Sequence, residues 1–162
     1  MTGTHLHLLV NHVPILGSFF ALALFAVSFV YAPDVLRRTA LVVLVGVGIA
    51  AAAANYSGEP AEDGIRGFPG VRRELIHDHE EMAEKSFFAA AALGIVALGV
   101  LLRWRRTPVP RSMSLVALAG TVAVAGVMAY TGLLGGMVRH TEVRPGGTPA
   151  DAVTVEPRPV DP

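Results

Sequence analysis

Residues Glu74-Leu75-Ile76-His77-Asp78-His79-Glu80-Glu81-Met82-Ala83-Glu84 gather imidazoles and carboxylates in one short stretch. They hold two of the six histidines and five of the thirteen acidic side chains. On a helix, His77, Glu80, Glu81 and Glu84 fall at i, i+3, i+4 and i+7 and share one face. Imidazole with carboxylate makes a transition-metal ligand set, and neutral imidazole suits Zn, Cu and Fe. Glu74 and His77 form a Glu-x-x-His pair of the kind used by carboxylate-bridged metal sites in four-helix bundles. Those sites use the pair twice, with two further glutamates. Here it occurs once, which weakens a two-metal reading. A second group lies near the start, with His5, His7, Asn11 and His12, and a third is Arg139-His140.

Composition limits the chemistry. There is no cysteine. Disulfides, thiolate metal sites, iron–sulfur clusters and haem attached through a Cys-x-x-Cys-His motif are excluded. Net charge is zero with histidines neutral, so nucleic-acid binding has no electrostatic support. Charged residues are 16% of the chain, well under the roughly 25% of soluble domains. Lipid is the environment that this deficit suits.

Four apolar runs must position these residues. The first is Val13 to Ala32, uncharged and close to the 20 or so residues of a membrane span. The N-terminus lacks the basic region of a signal peptide, so the run is read as a retained helix. Asn11 is the expected N-cap, with Pro14 near the helix start. Residues 4–10 form a lead-in along the interface, or an extra turn above a kink. Pro33-Asp34 ends this helix. The second run is Thr39 to Tyr56. Its Gly46, Ala50, Ala54 and Gly58 recur every four residues, which suits close helix approach in lipid or simply an Ala-rich helix. Ser57-Gly58-Glu59-Pro60 stops it, and a polar connection runs to Gly70.

The third helical pattern, from Val71 to about Arg103, is longer than a bilayer's hydrocarbon core. Its first turns therefore stand at or above the interface, and its lipid-embedded part is Ser86 to Leu102. An arginine-rich loop with Trp104 leads to the fourth run, Ser112 to Val138. The tail from Thr141 is Pro- and Gly-rich and should not fold alone.

The expected fold is therefore all-α: an integral membrane, antiparallel four-helix bundle with an irregular C-terminal tail. Residues 1–140 form the membrane domain, with helices at about 12–32, 39–57, 71–103 and 112–138, and 141–162 form the tail. Four passes place all six histidines and twelve of the thirteen acids on one side. The other side has two short loops with six arginines and one acid, Asp34. The positive-inside rule makes those loops cytoplasmic and both termini periplasmic.

Three readings follow for the histidine side. One is b-type haem held by two histidines, from His12, His77 and His140, with propionates near Arg139 or Arg72 and glycines such as Gly17, Gly132, Gly135 or Gly136 close to the ring. Another is a transition metal among His7, His12, Glu59, His77, His79, Glu80, Glu81 and His140. The third is no cofactor: an accessory or structural subunit of a larger respiratory or photosynthetic complex. His12 is favoured as a ligand, since it lies beside the first proline of a spanning helix, where histidines facing a bundle interior mark ligand or proton sites. His5 and His79, taken singly, read as residues solvating an interfacial helix end. No Ser/His/Asp order or phosphate loop supports an enzyme.

Four separated segments carry a resemblance. They are His5-Leu6-His7-Leu8-Leu9-Val10-Asn11-His12-Val13-Pro14-Ile15-Leu16-Gly17, Ser57-Gly58-Glu59-Pro60-Ala61-Glu62, His79-Glu80-Glu81, and Tyr130-Thr131-Gly132 through Gly135-Gly136 to Arg139-His140. Together they resemble a family of small bacterial four-helix membrane proteins of unknown function, over about residues 5 to 140. The resemblance implies a location in the bacterial inner membrane. It also implies electron-transfer partners, since similar domains are sometimes joined to electron-transfer modules. It directs attention to Asn11, His12, Glu59, Glu80, Arg139 and His140.

Overall fold

Pro14 decides the path of the first helical segment. In the computed structural model, which describes residues 3–31, 33–65, 68 and 70–147, that segment is two helices, α1 (Gly3–Val10) and α2 (His12–Ser28). Pro14 has no N–H to give the carbonyl of Val10, and its ring crowds that carbonyl. The helix breaks at this point. Asn11 keeps a helical backbone and still donates its N–H to His7 O at 2.9 Å, and it makes no side-chain cap. The lead-in is thus two helical turns above a kink, and Asn11 stands at the N-cap position of α2 without capping it through its side chain.

The second helix, α3 (Pro33–Tyr56), begins six residues earlier than the apolar run. Pro33 fits the first helical position, where a missing N–H costs little. Asp34 in the first turn suits the positive end of the helix dipole. A short helix α4 (Gly58–Asp63) occupies part of the expected connection, and α1 packs on it through Gly3 against Pro60. Next come α5 (Arg73–Arg103), unbroken for 31 residues, and α6 (Arg111–Arg139). A single 3-10 turn at Thr141–Val143 follows, pinned by Arg144, which donates to Met137 O and Gly70 O at 2.8 Å each. The expectations for Ala32, Pro69 and the tail from residue 148 lie outside the described residues.

Four helical segments, Gly3–Ser28, Pro33–Tyr56, Arg73–Arg103 and Arg111–Arg139, are long and apolar enough to cross a membrane. Between 22% and 33% of each most apolar window is buried within the chain, so most of each helix surface faces outward. Large apolar side chains lie there, including Leu16, Ile49, Ile95 and Val116. The inside is lined largely by small residues: Ala21, Ala40, Ala51, Ala90, Ala97 and Ala117. The closest helix pair is α3 with α5. A Cβ on Gly94 would stand 3.2 Å from Leu44 O and 3.6 Å from Gly48 Cα. The approach residue on α3 is therefore Gly48. Gly46, in the expected stripe, has nothing within 4 Å of where its Cβ would stand.

At the arginine end, the start of α3 holds the loop between α5 and α6. Asp34 binds Arg38 at 2.8 Å and accepts the Val109 N–H at 2.7 Å. Arg38 also donates to Trp104 O and Thr107 O at 2.8 and 2.6 Å. Val109 is 1% exposed. Asp34→Ala leaves its N–H without an acceptor and should lower stability by about 1–3 kcal/mol. Gly94→Val should cost a similar amount, about 1–3 kcal/mol, by overpacking. Thermal unfolding of the purified chain checks both; an unchanged midpoint for either would remove the role given to that residue.

Candidate functional site: two imidazoles at one helix end

Two histidines from distant parts of the sequence face each other. His7 on α1 and His79 on α5 have ring centroids 6.5 Å apart and planes at 81°. Both are half-buried. His79 is held by α6, where its Nδ1 lies 3.1 Å from Thr131 O. That carbonyl already belongs to the helix, but a carbonyl oxygen has two lone pairs. Reaching it needs a gap in the surface of α6, and Gly135 supplies one. A Cβ on Gly135 would lie 2.9 Å from His79 Cε1. Beneath the ring, Ser86 and Thr131 share a hydroxyl contact of 2.6 Å.

His7 is held by the junction of α3 and α4. Its Nδ1 lies 3.0 Å from Ser57 Oγ. Ser57 has one hydroxyl proton, and it goes to Ala54 O at 2.9 Å. With that proton placed, Ser57 Oγ accepts and His7 Nδ1 donates, and the Ala54 carbonyl is a hydrogen-bond partner of the ring as well. His79 Nδ1 also donates, because its partner is a carbonyl. In the neutral rings both protons sit on Nδ1, and each Nε2 keeps its lone pair. This is how metal-ligating histidines are oriented: one nitrogen fixed by the surroundings, the other presented. Asn11, one turn beyond His7, has a buried Oδ1 without a hydrogen-bond partner.

The remaining candidates lie elsewhere. His12 is exposed, with Nδ1 at 3.3 Å from Leu8 O of its own segment. Exposure is also the state of His77, Glu59, Glu80, Glu81 and Glu84, and Glu81 pairs with Lys85 at 2.7 Å. His140 binds Glu142 at 2.9 Å. Arg139 stacks on Phe68 with Cζ 5.6 Å from the ring centroid, and Arg72 pairs with Glu74 at 3.1 Å. The shared face His77-Glu80-Glu81-Glu84 does form, but it points away from the other helices. Among the described residues, no group of three or more His, Asp or Glu is arranged to hold a metal ion. A shallow cavity of about 220 Å³ lies beside Ser57, lined also by Gly3, Leu6, Ala53, Tyr56 and Pro60, and neither ring lines it.

Position beside Pro14 favoured His12, with His77 and His140 as further candidates; stripe continuation would have favoured His79. The buried face of α5 is Ile76, Ser86, Ala90, Gly94 and Ala97. His79 follows Ile76 by three and precedes Ser86 by seven, so it continues that stripe. His77 is about 200° away around the helix. Thr131 had no such signal, because it serves His79 through its main-chain oxygen.

The fold and site thus define an all-helical protein with four membrane-length apolar helices and a paired-imidazole centre at one end. No family model, no curated protein and no solved structure matches the chain.

Nitrogen NMR of the imidazole side chains should find His7 and His79 in the Nδ1–H form when neutral. Ser57→Ala should release His7 alone. Gly135→Val should drive His79 off the Thr131 carbonyl while His7 keeps its form. An Nε2–H tautomer at His79 in the unaltered protein would overturn the assignment.

Proposed function

We propose that this chain is a small redox subunit of the bacterial inner membrane, in which His7 and His79 would hold a b-type haem. The four long helices cross the bilayer as an antiparallel bundle. The arginine end, with Arg37, Arg38, Arg103, Arg105, Arg106 and Arg111, faces the cytoplasm, and the imidazole pair lies on the periplasmic side with both termini. The exposed apolar side chains on all four helices support a lipid surround.

The observation that carries the haem reading is the 6.5 Å between the two ring centres. Two imidazoles on one ion, at about 2 Å per bond, hold their centres about 6 Å apart. A bare ion asks for three or four protein ligands, and among the described residues no three His, Asp or Glu are grouped to supply them. A group that brings four nitrogens of its own asks for two. Gly135 beside His79 and Gly58, whose Cβ would lie 4.0 Å from His7 Cε1, keep side chains away from the rings. When bound, such a group supplies one-electron exchange. The chain's own part is to present two Nε2 lone pairs, fix both ring planes through Ser57 and Thr131, and set the depth of the centre. Electron partners are then other subunits of a membrane complex that meet this end.

Purified protein should show a Soret band that shifts on reduction. His7→Ala and His79→Ala should each abolish it, and His12→Ala, His77→Ala and His140→Ala should leave it. Stoichiometric metal without a Soret band would keep the ligand pair and replace haem by a bare transition ion. Protein that stays colourless and metal-free after haem supplementation would sink the redox reading and leave the accessory subunit.

A further inference from the structure

Phe29, the residue that ends α2, lies beneath two cations. Arg37 Cζ is 5.7 Å and Arg111 Cζ 5.4 Å from its ring centroid. Arg37 donates Nη1 to Val109 O at 3.3 Å, while its Nε–H is buried and has no acceptor. Arg111 is exposed and opens α6, whose first turn holds no acid and has no side-chain cap. The first amides of a helix carry partial positive charge, and they favour anions. Asp34, the one carboxylate on this side, is committed to Arg38 and to the Val109 N–H. Two guanidinium groups, an unsatisfied N–H and an uncapped helix start therefore meet at one corner, where the charge of Asp34 reaches Arg37 but its oxygens are bonded to Arg38 and the Val109 N–H.

We infer that this corner binds the phosphodiester of an anionic phospholipid headgroup. Guanidinium forks and helix amides are the donors that phosphate oxygens prefer. The lipid source follows from what borders the corner. Exposed apolar side chains stand on each flanking element: Val30 after α2, Val35 on α3, Leu115 and Val116 on α6. A free phosphate has no use for them, whereas acyl chains cover them. Basic pockets between membrane helices on the cytoplasmic side take such headgroups. The inference rests on the membrane reading above and is independent of the haem.

Native mass spectrometry of the full chain, released from bilayers of equal phosphatidylglycerol and phosphatidylcholine, tests it. Phosphatidylglycerol should stay bound preferentially. Arg111→Gln, an exposed change, should cut that retention by roughly tenfold, the equivalent of one charge-assisted hydrogen bond. Arg37→Lys should lower it too, since an ammonium lacks the fork. Arg105→Gln and Arg106→Gln, exposed arginines that do not stack on Phe29, should leave it unchanged. Equal retention of both lipids overturns the site. So does an equal loss in the Arg105 and Arg106 variants, which would reduce the effect to net charge. Displacement of the lipid by millimolar inorganic phosphate would overturn the lipid assignment. A chain absent from the membrane fraction would sink the membrane reading itself, a result separate from any lipid preference.

Discussion

The backbone-to-backbone contact of two long helices, Gly94 of α5 against Gly48 and the Leu44 carbonyl of α3, limits what fits between them. Helices that meet backbone to backbone leave little room for large side chains between them. Many buried positions are accordingly alanine, serine or threonine, and Phe25, Leu41 and Leu44 are among the larger side chains that fill the rest. The large apolar side chains go to the outside because the inside has no space for them. A water-soluble bundle has the reverse arrangement, with its large apolar residues in the core. Tight interior and greasy exterior are one constraint seen from two sides.

Polar groups in such an interior must find acceptors within the chain. Ser18, Ser28, Ser114 and Thr121 solve this locally by donating to carbonyls three or four residues back, at 2.6 to 3.3 Å. They hold no other helix and are free to lie anywhere along the stripe. Ser57 and Thr131 differ. Each satisfies its own hydroxyl on its own helix, yet offers a second oxygen lone pair, and a histidine from another segment takes it. The imidazoles are therefore tied to helices already complete in their own hydrogen bonding. Ligand capacity remains after the fold is satisfied.

Much of this was legible in the residues. Four apolar runs gave four long helices, and small residues marked a close approach, though Gly48 and not Gly46 makes it. The start of α3 was placed six residues late because a proline can break a helix or open one, and neighbouring backbone decides which. Pro14 breaks and Pro33 opens. The site was harder. His79 could be found by extending the buried stripe of α5 backwards through Ile76, but its density of charged neighbours drew attention to the outward face instead. His7 depends on a kink whose angle the sequence does not encode in any residue type. Its meeting with His79 is a tertiary fact.

The two ends of the molecule use opposite electrostatics, and this is why the proposed ligand site is placed at one of them. At the arginine end, Asp34 neutralises Arg38 and takes the Val109 N–H, so each charge-assisted bond locks a loop. A carboxylate used this way is consumed. At the other end the carboxylates face outward, and the two inward rings are joined to their helices by neutral hydrogen bonds through one nitrogen each. Had Glu80 or Glu84 pointed inward instead, an imidazole would have become half of an ion pair, with its second nitrogen protonated and useless to a metal. Keeping acids off this face keeps the Nε2 lone pairs available. The acidic run that dominates the sequence thus matters to the site by where it does not point.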